Sequence, residues 1–540
     1  MLSILAIFCM FRFLGWISEH IPLLSVLPWA TSTSRGSETE PRESLPNFPT
    51  PITLTDKRGH SKWTVSIPPN RAFPLTINEY ASIGAKCGEI SDKTNQEQSQ
   101  DHGHSLQFVD IQEAQNNGFL PKPRAAMKEA VDRDIPPCAK SLTVVLESTD
   151  AGIGNTLMML WTAYGLAQKE GRSFFLDDTR WAYGKYSDIF QPPPSPKCSP
   201  PPDNEKIPCP RQARHLVVTT TTFSDVFRDL TSRHTDDEGP VPLSTRKSAF
   251  ALARQGHDAL FRLNNDDGRY VDSRVRDLLS KRIVPKTKGK QNGVVIGLHI
   301  RRGDRHPFEY QYRDSYIPLD KYTDVARKLI EDRVGLSGPL SSTSDKEEIT
   351  AKEHSFFVVS SDDPMVYESG EVVGGKEARE GTMYPAQDRI RLASKQAIQD
   401  ANPPDKHVMH KFVDEAFGWE GGFFSAMFWN LGMGSAAKAN ANTNAVSMAR
   451  AGARGGTTTP ESEIGMAPLA SAETIRLRSL VGRAYMMDLA VVADVSDVVV
   501  CAVSAVGCRI LAVMQGWESA VERENWVNVD GGFGWLGVSE

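Results

Sequence analysis

Between residues 142 and 176 the chain alternates strand, glycine turn, helix and strand, and few folds accommodate that order. Leu142-Thr-Val-Val-Leu146 is a short β-rich apolar run, read as a buried strand. Asp150-Ala-Gly-Ile-Gly-Asn155 is a turn, Thr156–Glu170 an amphipathic helix that ends at Gly171, and Ser173-Phe-Phe-Leu176 the next strand. This is the signature of a parallel sheet. Leu216–Thr220 reads as a further strand and Ser248–Leu263 as a helix. A second series opens with Gly293-Val-Val-Ile-Gly-Leu-His-Ile300, an apolar β-branched run that reads as a strand. It continues with a helix over Pro318–Asp332, a strand over Ser355–Ser360, helices over Asp388–Gln399 and Thr474–Leu489, a strand over Asp497–Cys501 and a helix from Gly507 to Met514. The expected class is α/β, with two Rossmann-like parallel-sheet domains, 76–290 and 291–540, facing a cleft. In such sheets ligands bind off the carboxyl ends of the strands.

Outside these units the chain is polar. Residues 31–75 are rich in Ser, Thr, Pro and charge and read as a flexible stem, and 432–473, dominated by small residues, reads as a disordered insert. Residues 1–17 are apolar except for Arg12. They make 1–30 a candidate signal-anchor, although a full span needs about 20 apolar residues. The 540 residues carry a net charge of −6, which argues against broad nucleic-acid binding, so any anion site must be a local basic cluster. None of the seven cysteines forms a CxxC pair, which makes a structural zinc site improbable. Their spacing fits either scattered buried thiols or a few disulfides in an oxidising compartment.

Four segments place polar residues at the ends of expected strands. In His299-Ile-Arg-Arg-Gly-Asp304 an apolar strand delivers two arginines and an aspartate into a loop, and Arg305 and His306 add positive charge. The planar fork of arginine suits phosphate oxygens, so this is a candidate diphosphate cradle; the alternative is a surface ion-pair cluster. Five residues beyond Asp304, Glu309 could deprotonate an acceptor hydroxyl, or be a solvated charge. Asp362-Asp363-Pro364 could bind a ribose or base edge, or cap the next helix. Gly152 and Gly154 could admit a ligand close to the backbone, or only make a tight turn.

In their order along the chain these segments resemble the α-1,6-fucosyltransferases, the family that includes the core N-glycan enzyme and the bacterial nodulation fucosyltransferase. The likeness runs over roughly residues 138–530. Gly152-Ile-Gly154 is similar to the family's glycine-rich first turn, and Trp181-Ala-Tyr183 to its Trp-X-Tyr, whose tyrosine lies at the nucleotide. His299-Ile-Arg301-Arg302-Gly-Asp304 resembles its first motif, and Glu309 falls at the proposed catalytic-base position. Ser361-Asp362-Asp363-Pro364 resembles its Thr-Asp-Asp-Pro, and Asp488 the aspartate that reads the guanine edge. Cys501 with Cys508, and Cys138 with Cys198, match disulfide pairs of the family. Four departures stand out: Gly303 replaces a threonine, Arg305 a lysine, Ser504-Ala505-Val506 a Ser-Ser-Gln, and one extra residue separates Asp488 from Asp497.

The resemblance implies a fold of the GT-B kind and an inverting transfer of L-fucose from GDP-fucose to a glycan hydroxyl, with α-1,6 linkage to N-acetylglucosamine. Neither metal nor cofactor is expected. Arg301, Arg302 and Glu309 would be catalytic. His299, Asp304, Arg305, Tyr183, Asp362, Asp363, Asp488, Gly152 and Gly154 would hold the donor, and Ser504 would lie on the acceptor side. The partner would be a glycan or glycoprotein, and the location the Golgi or secretory lumen, as a type II membrane protein if 1–17 anchors it. Two alternatives stay open: a non-catalytic GDP-sugar or glycan-binding protein of the same fold, and a protein O-fucosyltransferase.

Overall fold

The computed structural model describes residues 45–55, 59–100, 106–121, 135–147, 152–227, 243–283, 292–301, 317–335, 351–363, 366–367, 369, 382–390, 472–531 and 534–535. The candidate signal-anchor, Arg302, Asp304, Arg305, Glu309 and all but the last two residues of the insert 432–473 lie outside them, as do residues 391–399 of the helix expected over Asp388–Gln399, whose described residues 388–390 are not helical. Residues Asn47–Glu540 make one compact unit.

That unit contains two parallel sheets. In the first, β4 (Ser141–Val145) is central, between β5 (Ser173–Asp177) and β6 (His215–Val218). In the second, β7 (Val295–Ile300) and β8 (Phe356–Ser361) are flanked by β9 (Thr382–Pro385), β10 (Val498–Cys501) and β11 (Trp526–Asn528), in the order β11-β10-β7-β8-β9, all parallel. The molecule is therefore a mixed α/β protein whose expected strands pair in parallel. β9 and β11 are additions. Both are short edge strands, and neither Thr382–Pro385 nor Trp526–Asn528 has the continuous apolar run that marks a strand covered on both faces.

The central strands are apolar on both faces because each sheet is packed on both sides. Val295 of β7, Phe356 and Val358 of β8 and Val499 and Cys501 of β10 join one core with Leu142 and Val144 of β4. Helices that contribute to that shared core include α3 (Ile153–Lys169), α6 (Leu243–Leu260), α9 (Ala472–Val495) and α10 (Val506–Gln515). The alternate residues Ile296, Leu298 and Ile300 face the opposite side, against α8 (Leu319–Gly335). α3 and α6 approach backbone to backbone: a Cβ on Gly256 would lie 2.1 Å from the Trp161 carbonyl oxygen, and one on Gly165 would lie 2.3 Å from that of Leu252. The α7 helix (Asn265–Lys281) is latched to α9 by Arg483, which grips the buried Asp267 carboxylate at 2.7 and 2.9 Å.

The first parallel sheet is covered on its far side by residues expected to be a flexible stem, and this corrects the reading of 31–75 at its C-terminal end. β1 (Thr50–Thr55) and β2 (Ser61–Ser66) form an antiparallel pair, and β3 (Gln107–Phe108) adds alongside β2. Trp63 and Val65 are buried with Tyr80, Ile83 and Cys87 of α1 (Ile77–Gln100) and with Val145 and Val217. Serine and threonine dominate the composition there; β1 alternates as a half-buried strand does, whereas Thr64 and Ser66 of β2 are buried together with Trp63 and Val65. Short helices α2 (Ile111–Asn116), α4 (Tyr186–Ile189) and α5 (Phe223–Val226) complete this half.

Three disulfides are present among the described residues. Cys501–Cys508 ties the end of β10 to α10, and Cys138–Cys198 joins the lead-in to β4 to the proline-rich loop. The third, Cys87–Cys209, links α1 across 122 residues, and no local spacing signals it. Among the described residues no helix is long and apolar enough to cross a membrane.

Candidate functional site

Three strands of the second sheet end side by side. His299 near the end of β7 pairs in register with Ser360 of β8 and with Cys501 of β10. His299 belongs to the same face as Val295 and Gly297, the face turned toward α9. Gly297 makes that approach possible, since a Cβ there would lie 2.3 Å from the Ser496 hydroxyl oxygen and 2.8 Å from Val492.

α9 answers with polar residues at spacings of seven and three, which share one helical face: Arg478, Tyr485 and Asp488. The Tyr485 hydroxyl lies 3.4 Å from Nε2 of His299. The Ser360 hydroxyl donates to the Asp488 carboxyl at 3.3 Å. Arg478 is 1% exposed, and burial lowers its pKa to about 10 while the neighbouring Tyr183 opposes the shift.

The site is closed by the first turns of two helices. Gly507, in the first turn of α10, packs on the pair formed by β7 and α9: a Cβ there would lie 2.2 Å from the Tyr485 oxygen and 2.4 Å from Nε2 of His299. Gly154, in the first turn of α3, meets the same turn of α10, with a Cβ falling 2.4 Å from Val506. The Ile153 backbone N–H, at the head of α3, donates to the Tyr183 hydroxyl. Two helix N-termini thus converge, and each carries a partial positive charge. Arg301 follows β7, and its charge acts on Tyr183, His299 and Tyr485 alike. Elementary electrostatics makes this edge of the sheet electropositive.

Its titratable groups are displaced from their ordinary values. Burial, reinforced by Arg301, pushes the His299 imidazole down to about 4, so the ring is neutral at physiological pH. Burial raises both Tyr183 and Tyr485, which keep their phenolic protons. Burial also raises Asp488 to about 8, against hydrogen bonds from Ser360 and from the backbone and side chain of Gln387. At neutral pH Asp488 is therefore largely a carboxylic acid, able to donate as well as accept.

The structure brings His299, Arg301, Tyr183, Asp488 and Gly154 into this cluster. Gly154 serves helix packing there, whereas Gly152 at the N-cap of α3 borders open space, with only Asn155 within 4.0 Å. Asp362 is half-buried at the end of β8, and its charge reaches Tyr485. Asp363 is buried in the turn that follows; its backbone N–H donates to the Ser361 hydroxyl at 3.1 Å, and its carbonyl accepts from Val366. Ser504 is half-buried in the turn between β10 and α10, which is fixed by the Val503 N–H donating to Asn528.

Tyr485 and Arg478 belong to the cluster and were not among the expected site residues, nor was Arg509 of α10, whose charge also reaches Tyr485. The signal for the first two was present: they share a helical face with Asp488 in a segment whose other positions are mostly apolar. No group of His, Cys, Asp and Glu suited to a metal ion occurs among the described residues. In comparison with known proteins, no family model matches this chain and no curated relative does.

Proposed function

We propose that this chain is a GDP-fucose-dependent glycosyltransferase of the GT-B kind, transferring L-fucose to a glycan hydroxyl, with N-acetylglucosamine O6 as the proposed acceptor position. One observation carries the reading. Arg301, the neutral His299 and the N-termini of α3 and α10 converge at the carboxyl end of the five-stranded parallel sheet. A diphosphate is the ligand chemistry best suited to that convergence, and the neighbouring Asp488, Ser360 and Asp362 supply the mixed donors and acceptors that a nucleoside needs. The family resemblance adds fucose as the sugar and the secretory lumen as the location.

In this reading an acceptor hydroxyl oxygen attacks C1 of the fucosyl group as the bond from C1 to the β-phosphate oxygen breaks, with inversion. The negative charge left on GDP is stabilised by Arg301 and Arg302. The hydroxyl proton passes to Glu309. His299, Tyr183, Asp363 and Asp488 hold the nucleotide, Asp304 and Arg305 line the diphosphate, and Ser504 faces the acceptor. The mechanism derived from the resemblance has no metal step.

A GDP-release assay on the full chain, with several GDP-sugars and a glycan panel, tests this. Turnover with GDP-fucose is expected, and Glu309→Gln should keep donor binding while losing transfer. Turnover with GDP-mannose but not GDP-fucose overturns the donor assignment. GDP binding without hydrolysis or transfer supports the second reading, a non-catalytic nucleotide-sugar-binding protein, with which the altered Ser504-Ala505-Val506 is compatible.

A further inference from the structure

We infer that the Cys501–Cys508 disulfide is a positioning crosslink: it fixes the first turn of α10 against His299 and Tyr485, and through that turn sets how tightly the carboxyl edge of the five-stranded sheet holds an anion. The second half rests on the nucleotide-diphosphate reading above; the first half does not.

Local sequence gives α10 a weak start. Its N-cap is Ala505, which forms no side-chain cap, and the next two residues are the β-branched Val506 and Gly507. Alanine is a poor N-cap, and valine and glycine are weaker helix formers than alanine. The first N–H groups of any helix lack intrahelical partners, so a turn built this way frays unless something outside it holds it. Cys508, the third residue of α10, is the point of attachment. Its sulfur is bonded to that of Cys501, the last residue of β10, and its carbonyl accepts from the Trp526 indole of β11 at 2.8 Å. Both cysteines are fully buried.

What the turn touches makes this hold matter to the site. Gly507, next to the crosslinked Cys508, packs on Tyr485 and His299 with no room for a Cβ, and Val506 meets Gly154 of α3. Cys501 pairs in register with His299. The crosslink thus joins the strand beside His299 to the helix turn that covers His299. A shift of that turn carries the positive end of the α10 dipole away from the strand ends. Its loop is also the shortest of the three, with the cysteines 7 residues apart against 60 and 122 in the other two. In the chain-entropy account stabilisation grows with loop length, so this crosslink adds least to global stability and acts mainly on local geometry.

Calorimetric titration of GDP and amide hydrogen exchange on the full chain test this, with Cys501→Ala/Cys508→Ala set beside Cys138→Ala/Cys198→Ala. The first variant is expected to bind GDP about 3–10-fold more weakly, the range for a lost alignment with a helix terminus. Exchange over residues 502–510 should quicken, and KM for GDP-fucose should rise by a larger factor than kcat falls. The second variant is expected to melt lower and to bind GDP as the wild type does. Equal GDP affinity in the wild type and the first variant, an equal loss in both variants, or unchanged exchange over 502–510 overturns the inference. If the first variant does not fold, Cys501→Val/Cys508→Ala, which refills the space in β10, takes its place. Failure of both to fold makes the disulfide a folding element and overturns the inference equally. Should the wild type fail to bind GDP while exchange over 502–510 quickens in the variant, the ligand reading falls and the hold of the crosslink on the turn stands.

Discussion

The two parallel sheets share a core, and each carries a buried histidine with a lowered pKa, but the two histidines stand at opposite strand ends. In the three-stranded sheet Arg172, Glu147 and the pair Ser141 and His215 are held by protein partners, although the Thr143 hydroxyl of β4 has none among the described residues. Arg172, 5% exposed, donates to the carbonyls of Ser141, Arg211, Ala213 and Arg214 and to Glu170, so one guanidinium fixes the entry to β4 and β6. Glu147, just past β4, is bound by Arg180, which also holds the Pro74 and Leu75 carbonyls. Ser141 and His215, the first residues of their strands, meet at 3.0 Å with Glu205 beyond at 3.8 Å. That serine, histidine and carboxylate resemble a hydrolase set by residue type, but Ser141 is fully buried at the amino-terminal edge of the sheet. In the five-stranded sheet the carboxyl edge instead carries a histidine nitrogen without a partner among the described residues, an acid held protonated and a buried cation on the facing helix. Perturbed groups occur in both sheets, since burial also lowers His215 to about 4 and raises Glu205; what sets the five-stranded sheet apart is that its perturbed groups stand at the carboxyl ends of the strands, where parallel sheets bind ligands.

The contrast can be broken at several points. Arg172→Ala strips one donor from a set of buried carbonyls and leaves Glu170 without that partner; it should lower unfolding stability by about 3–5 kcal/mol in denaturant titration, while kcat per folded molecule stays the same. Arg301→Ala should do the reverse, with transfer falling about 10²–10³-fold, as for loss of a group that stabilises developing charge, and a melting temperature close to that of the wild type. A single variant that moved both quantities equally would erase the distinction. Gly256→Ala forces α3 and α6 apart and should cost about 1–3 kcal/mol by denaturant titration, again without a specific effect on KM.

Asp488 gives a pH test. Its folded pKa, about 8, is raised above the ordinary aspartate value of 3.8. Its contribution to stability is therefore fully present below pH 4 and is lost as pH rises toward 8, with a slope of at most about 1.4 kcal/mol per pH unit. Thermal melts between pH 5 and 8 should show a steeper decline in the wild type than in Asp488→Asn. Parallel curves would mean that the carboxyl is ionised throughout. The smallest effect is expected at Ser141→Ala, about 1 kcal/mol of stability and unaltered transfer; loss of activity there would move function to the wrong sheet.

The sheet centres were legible because doubly covered strands are apolar throughout, as in Val295–Ile300 and Val498–Cys501. The β1–β2 pair was not, because it is rich in threonine and serine and its burial depends on Val145 and Val217, which are distant in sequence. Cys87–Cys209 escaped for the same reason. Within the site, His299 and Arg301 were visible as an abrupt change from apolar to basic residues. Tyr485 was signalled only by the helical face it shares with Asp488, and a tyrosine within an apolar helix reads as core until the sheet it faces is known. Gly154 was visible as a glycine, but its partner, Val506, lies more than three hundred residues away, and only the fold makes it a packing contact.

The most direct test of the central claim is calorimetric titration of GDP into the wild-type chain, Arg301→Ala and Ser141→Ala under one buffer and salt condition. The account expects binding by the wild type and by Ser141→Ala with equal affinity, and at least tenfold weaker binding by Arg301→Ala. Failure of the wild type to bind GDP, or equal affinity in all three, would contradict it.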